Sequence, residues 1–357
     1  MRPSDSAGRQ AHEVVGLYGD PDTTWGICLE LGVTVPVVPE QVGARLTALA
    51  ADHPHLGSDW QVEEVNPAGW AAARERVAAA PYDVGGPLVR VLSDGAGRVL
   101  VAVHHGVCDG LGLLALAGAA CGLDVVSHAR GIGDRPSPSS FLRSSVARVA
   151  EALLRPPPRF ASHQVAPSPG EHLVVRPVPR LAAGSVDLAM AVALVFSRWN
   201  PPGRGSGKRP LLVAGASRRA PGALAPDRRT AYLRFRLDPA WDRARAKQAF
   251  GSVAPEPEFP ETSARGIGPA ITRLLRGRLG GTAQISNLGV VEAAGLDYAA
   301  MFPALSGPRA FAVGLVTTGT TTTVSLRTRG SEFSSADTEE LADLITAALA
   351  EVAAPAG

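Results

Sequence analysis

The sequence predicts a mixed α/β protein built as two lobes, and three observations carry that prediction. Its 357 residues exceed what one ordinary hydrophobic core organises. Segments of helical and of strand periodicity alternate in similar proportion in both halves. Between Gly131 and His172 the alternation gives way to Pro136-Ser-Pro-Ser-Ser, Arg155-Pro-Pro-Pro-Arg and Pro167-Ser-Pro-Gly, which cannot continue a helix. The expected division is a first lobe over 1–160 and a second over 161–357.

Taken in order, residues 23–34 read as a first strand. Pro39 and Glu40 open a helix in which Val42, Leu46, Leu49, Ala50 and His53 recur at helical spacing. A strand over 60–65 and an Ala/Arg-rich helix over 68–80 follow. Residues 88–92 and 99–103 flank Ser93-Asp94-Gly95-Ala96-Gly97, a hairpin by alternation and by turn chemistry. A strongly apolar helix occupies 111–123, and 141–154 forms another inside the proline-rich region. In the second half, Ser185 or Asp187 caps a helix running to Trp199. Strands are expected over 210–216 and 232–237, a helix over 271–279 and an extended piece over 282–285. A Thr/Val-rich hairpin turns at Gly319, between 310–318 and 320–329, and a last helix runs from Ser335 or Asp337 to Val352.

Composition narrows the function classes. Hydrophobic residues make up 45% and charged residues 19%, the profile of a globular protein with a full core. The net charge is +2 and spread along the chain, so a nucleic-acid partner is not expected. Lys208 and Lys247 are the only lysines among 35 basic residues, which reflects coding bias and not mechanism. Cys28, Cys108 and Cys121 are too few and too scattered for a disulfide framework or a zinc site. Residues 1–19 lack the apolar core of a signal peptide, and no apolar run approaches the ~20 residues of a membrane span. A soluble cytoplasmic protein is the expectation, with neither a metal nor a cofactor of its own.

The chemistry concentrates in one segment. The strand 99–103 runs into His104-His105-Gly106-Val107-Cys108-Asp109-Gly110 and then directly into the apolar helix. Such junctions present side chains at the edge of a sheet, where the scaffold is rigid and ligands can reach. A neutral imidazole accepts a proton near pH 7, which no other unperturbed side chain does. Bland readings compete with this one. A single histidine can be a satisfied core residue, and His53, His55, His128, His163 and His172 are read that way or as surface positions. A shared metal is disfavoured for His104 and His105, because adjacent residues of an extended segment point to opposite faces. Asp109-Gly110 can also be a plain turn.

Further segments join this one. The stretch from Ala80-Pro-Tyr-Asp-Val-Gly-Gly-Pro-Leu-Val-Arg-Val to His105-Gly-Val-Cys-Asp-Gly-Leu-Gly, the upstream His53-Pro-His-Leu, Ser185-Val-Asp-Leu, and Gln284-Ile-Ser-Asn-Leu-Gly occur in that order. Together they resemble the condensation-domain superfamily, whose hairpin ends in His-His-x-x-x-Asp-Gly and whose standalone members carry a Ser-Asn-x-Gly segment. The resemblance covers roughly 20–350. It departs from the pattern at Gly57-Ser58, where the family has an arginine, and it lacks the plant-type Asp-Phe-Gly-Trp-Gly.

The resemblance implies two lobes, each like a chloramphenicol acetyltransferase subunit, arranged in a V with a tunnel between them, and a monomer. It implies transfer of an acyl group from a thioester to a hydroxyl or amine of a small-molecule acceptor, in natural-product biosynthesis. The donor would be acyl-CoA or an acyl-carrier protein acting in trans. Other outcomes of the same fold are a repurposed enzyme of cyclisation or epimerisation, and a non-catalytic relative that binds a carrier protein or an intermediate. By the same resemblance, His105 would be the general base and His104 structural. Asp109 would face away and pair with an arginine of the second lobe, Arg218 with Arg219 in reserve; buried carboxylates need such partners. Gly110 would let the helix start approach the substrate. Ser286 and Asn287 would face the tetrahedral oxyanion, an effect worth ~3 kcal/mol in comparable sites, or would instead form a turn that caps backbone groups.

Overall fold

The structure is a computed structural model that describes residues 3–16, 24–163, 167–201, 208–258, 274–307 and 310–354. Its elements follow the expected alternation. The chain opens with α1 (Pro3–Gly16), which residue patterning had not suggested, then β1 (Gly26–Val33), α2 (Pro39–Asp52), β2 (Trp60–Glu64), α3 (Trp70–Ala79), β3 (Val89–Ser93), β4 (Arg98–His104), α4 (Gly110–Cys121), β5 (Val126–Ser127) and α5 (Phe141–Leu154). The second half contributes β6 (Glu171–Pro179), α6 (Ser185–Trp199), β7 (Leu211–Ser217), β8 (Thr230–Arg236), α7 (Arg243–Ser252), β9 (Ala283–Glu292), β10 (Leu296–Phe302), β11 (Phe311–Thr318), β12 (Thr321–Arg329) and α8 (Ser335–Ala353). The helix expected over 271–279 lies partly outside the described residues. Among those described, no helix is long and apolar enough to cross a membrane.

Two sheets organise these elements. The first has five strands in the order β10-β1-β4-β3-β2, and the second runs β6-β12-β11-β9-β7-β8 with β5 paired to β9. Strand β1 is buried along its whole length because both its faces are covered. Ile27, Leu29 and Leu31 join the core built with α2 and α4, while Cys28 joins Trp70, Leu100 and Phe302 beneath α3. In the second sheet, α6 and α8 lie side by side over Leu212, Ile285, Val313 and Leu326.

The sheets are not separable by a single cut at the proline-rich stretch. Strand β10, from the second half of the chain, completes the first sheet by pairing antiparallel with β1, Cys28 opposite Phe302 and Leu31 opposite Ala299. In the other direction β5 pairs with β9, Val126 opposite Glu292. Where β10 leaves the first sheet, the Met301 carbonyl accepts from the Ser325 hydroxyl of β12. Gly314 of β11 backs onto that carbonyl so closely that any Cβ there would collide with it.

An ionic knot lies at the same junction. Arg327 of β12 is fully buried; its Nε donates to Glu171 at 2.7 Å, and its remaining nitrogens donate to the carbonyls of Gly26 (2.7 Å), Ala78 (2.9 Å) and Pro303 (3.2 Å). One guanidinium thereby binds β6, the start of β1, the end of α3 and the end of β10. Nearby, Glu30 receives Arg74 at 2.9 Å and the Tyr298 hydroxyl at 2.6 Å. Burial of both partners makes these links costly to break from one side.

Candidate active site

Strand β4 ends at His104, and the next peptide turns the chain toward α4. His105 N–H donates to the Trp25 carbonyl at 2.6 Å, just before β1 begins. Trp25 adopts φ +51°, the only positive φ of a non-glycine residue among the described residues. That strain is stored where the loop is anchored.

The two histidines diverge as their adjacency predicts. His104 is buried, with its ring between His12 of α1 (centroids 4.5 Å) and Tyr82 (5.4 Å), and its Nδ1 accepts the Gly106 N–H at 3.2 Å. Burial, with further repulsion from His12, His105, Arg228 and Arg90, pushes its pKa down to about 3, so it stays neutral.

His105 points the other way. Its Nδ1 lies 3.0 Å from the Cys108 carbonyl, which can only accept, so Nδ1 carries the hydrogen and Nε2 keeps the lone pair. Nε2 faces the Tyr232 hydroxyl of β8 at 3.0 Å. Burial lowers the pKa of His105, against the opposing pull of the Cys108 carbonyl and the Asp109 charge, so the neutral imidazole is the resting form.

Asp109 takes no part in that ring's hydrogen bonding. It is 1% exposed and caps α4 by accepting the Gly112 N–H at 2.8 Å. Arg219 donates to both of its oxygens, at 2.8 and 2.7 Å, and Arg229 N–H (2.6 Å) and the Thr230 hydroxyl (2.8 Å) complete the shell. The expected partner, Arg218, is corrected to Arg219. The two follow β7 at adjacent positions and leave in different directions: Arg218 reaches the Arg135 carbonyl at 2.9 Å and Glu258 at 3.3 Å. Arg219 is held further by the Asp227 carbonyl at 2.7 Å and by the Asp227 carboxylate.

His105, Gly110, Ser286, Asn287, Tyr232 and Met301 line a cavity of about 850 Å³ between the sheets, fed by strands of both. Gly110 opens α4 against this space; a Cβ there would sit 3.1 Å from Leu288 Cδ2, 3.4 Å from Met301 Cε and 3.6 Å from Ser286 Oγ. Ser286 and Asn287 lie inside β9, not in a separate turn, since the extended piece expected over 282–285 is a strand of ten residues. Asn287 accepts Gly289 N–H at 2.8 Å and donates to Ser185 Oγ at 3.3 Å, so its amide is engaged locally. Cys28, Cys108 and Cys121 are buried free thiols; burial raises all three, Cys28 to about 11 and Cys121 to about 12, which leaves them inert as nucleophiles.

Residue patterning did not single out Tyr232. A tyrosine in a strand is ordinary, and the signal that was available, its place two residues from Thr230 on one face of β8, identifies a face without saying what lies opposite.

No family model and no curated protein matches this sequence. Solved structures do match its fold. A mutant starter condensation domain of rhizomide synthetase RzmA in complex with C8-CoA and Leu-SNAC aligns over 98% of this chain and 94% of its own, at TM-score 0.57 and 14% identity. The same domain in a "product-released" conformation gives TM-score 0.56 at 14% identity, over 98% and 94%. The EpoB NRPS cyclization-docking bidomain from Sorangium cellulosum aligns over 100% of this chain and 84% of its own, at TM-score 0.57 and 12% identity. This chain therefore has the condensation-domain fold, with its His-His-x-x-x-Asp-Gly loop on the wall of the cavity between two sheets.

Proposed function

We propose that this protein is a condensation-type acyltransferase in which His105 is the general base. The observation that carries the reading is the tautomer: Nδ1–H is committed to the Cys108 carbonyl, so Nε2 presents its lone pair into the 850 Å³ cavity. An acceptor hydroxyl or amine gives its proton to Nε2 as it attacks the thioester carbon. The carbonyl electron pair moves to oxygen; on collapse the C–S bond breaks and the leaving thiolate takes the proton from Nε2. Asp109 and Arg219 hold the loop without touching the reacting atoms. The donor is a thioester of CoA or of a carrier protein supplied in trans, the acceptor a small molecule of natural-product metabolism, and the working unit a monomer. The RzmA complex supports this choice of donor, since that mutant condensation domain, of the same fold, is in complex with C8-CoA and Leu-SNAC.

The test is thiol release. Purified protein is given a series of acyl-CoA and N-acetylcysteamine thioesters with panels of amines and alcohols, and free thiol is followed. Acceptor-dependent release that His105→Ala abolishes supports the reading. Wild-type protein that binds thioesters without acceptor-dependent release would point instead to a binding relative.

A further inference from the structure

The geometry points to Tyr232 as a second catalytic residue, the donor that stabilises the oxyanion once the acceptor has displaced its hydroxyl from His105. The inference rests on the acyltransferase reading above.

Strand β8 turns Thr230, Tyr232, Arg234 and Arg236 to one face, while Ala231, Leu233 and Phe235 are buried on the other. Successive members of the first face take successive parts of the loop. Thr230 donates to Asp109 Oδ2 at 2.8 Å, and Tyr232, two residues on, stands 3.0 Å from His105 Nε2. Because His105 is neutral with hydrogen on Nδ1, the phenol is the donor in that bond. Nε2 has a single lone pair. During transfer that lone pair must receive the acceptor's proton, so the Tyr232 hydroxyl cannot donate to it at the same moment.

Displacement leaves an O–H group beside the carbon under attack, within about 3 Å of the base. The negative charge that develops on the thioester oxygen is the new acceptor it meets. The expected oxyanion donors leave room for it: Asn287 is engaged by Gly289 and Ser185, and Ser286 Oγ remains as a second donor on the cavity wall. The proton balance is simple. The acceptor's proton goes to Nε2 and later to the thiolate, and Tyr232 donates a hydrogen bond throughout without giving up its own proton.

Tyr232→Phe removes the hydroxyl and keeps the ring. With a thioester and acceptor that wild type turns over, kcat should fall 100- to 1000-fold, as for loss of one oxyanion donor. Acceptor KM should stay within a few-fold and the melting temperature should hold. NMR titration of the His105 ring supplies a readout independent of turnover. The groups facing that ring are Tyr232, Asp109, Arg228, His104 and the Cys108 carbonyl. Removing only the donor to neutral Nε2 should raise its pKa. Unchanged kcat with lowered acceptor KM would show that the phenol merely occupies the acceptor's place, and a lowered melting temperature with full kcat would make it a strut; either result overturns the role. A wild-type protein that releases no thiol from any thioester overturns the acyltransferase reading itself. An active wild type with an equally fast Phe variant overturns only the part assigned to Tyr232.

Discussion

Arg219 places one guanidinium nitrogen 2.8 and 2.7 Å from the two carboxylate oxygens of Asp109, across 110 positions of sequence, while the ring of His105 hydrogen-bonds elsewhere. Both side chains of the pair are almost wholly buried. Removing Arg219 leaves the Asp109 carboxylate buried without its ion pair, at a typical cost of ~3–5 kcal/mol, whereas neutralising Asp109 leaves Arg219 still paired with Asp227 and should cost less. Arg219→Ala and Asp109→Asn should therefore each lower the melting temperature together with activity. Arg218→Ala should fall well short of that, since its side chain serves the Arg135 carbonyl and an exposed Glu258. Thermal melts of the three variants decide the order; an Arg218 variant as damaged as the Arg219 variant would return the role to Arg218.

His105→Ala should behave in the opposite way. The residue is asked to move a proton and lies partly open to the cavity, so turnover should fall by at least 100-fold at nearly unchanged melting temperature. Near-native acceptor-dependent thiol release by this variant would remove His105 as the base.

Acid should destabilise the fold through its neutral histidines. The folded pKa of His104 is pushed from 6.5 to about 3, and those of His12 and His105 are also lowered, in each case chiefly by burial. The unfolded chain then takes up protons below about pH 6.5 that the folded chain refuses, so this contribution is fully present above pH 6.5 and is lost as pH falls toward 3. His104 adds a slope of up to ~1.4 kcal/mol per pH unit within that window, and His12 and His105 act in the same direction. Melting temperature should drop between pH 7.5 and 5, and His104→Gln should show a smaller drop over the same interval, whatever its starting value. Equal drops in both proteins would contradict the buried neutral state. The depressed pKa of His105 likewise places the acid limb of kcat/KM below pH 6.5.

Gly110→Ala tests the cavity without threatening the helix. Alanine favours helical structure, and the added Cβ would press on Leu288, Met301 and Ser286 inside the site. Activity should fall several-fold while the melting temperature is kept or rises. A variant with full activity would show that substrate does not approach this end of α4.

At the sheet junction, Arg327→Met alone should cost ~3–5 kcal/mol because Glu171 is left buried and unpaired by its main partner. The double change Arg327→Met with Glu171→Leu should recover part of that loss in a denaturant titration. A double variant less stable than the sum of the singles would argue that the carbonyl contacts, and not the charge pair, dominate.

Much of this was legible in the sequence where structure is locally encoded. The hairpin of β3 and β4, the helix α5, the hairpin at Gly319 and the divergence of His104 from His105 follow from alternation, capping and turn residues within a few positions. Long-range relationships were not legible. Nothing inside Leu-Asp-Tyr-Ala-Ala-Met-Phe says that β10 pairs with a strand some 270 positions earlier. The choice between Arg218 and Arg219 turns on the parity of one residue after β7, which side-chain chemistry cannot decide. Tyr232 escaped notice for the same reason, since its partner is brought to it by the meeting of two sheets. The family resemblance pointed to the loop, but not to the residue that meets His105.

The crossing of β10 has a consequence for how the chain is made. A ribosome releases β1 early, yet the neighbour that covers its outer edge, β10, emerges only after residue 296, when most of the second sheet has been synthesised. Until then β1 presents an unpaired edge in a largely apolar strand whose one charged residue is Glu30, the kind of surface that recruits other chains. Pairing over that separation also makes late assembly slow. Secretion of the nascent chain's first half into solvent as an independent fragment should accordingly yield aggregates, and chaperone retention during translation should matter more to this protein's yield than its final stability.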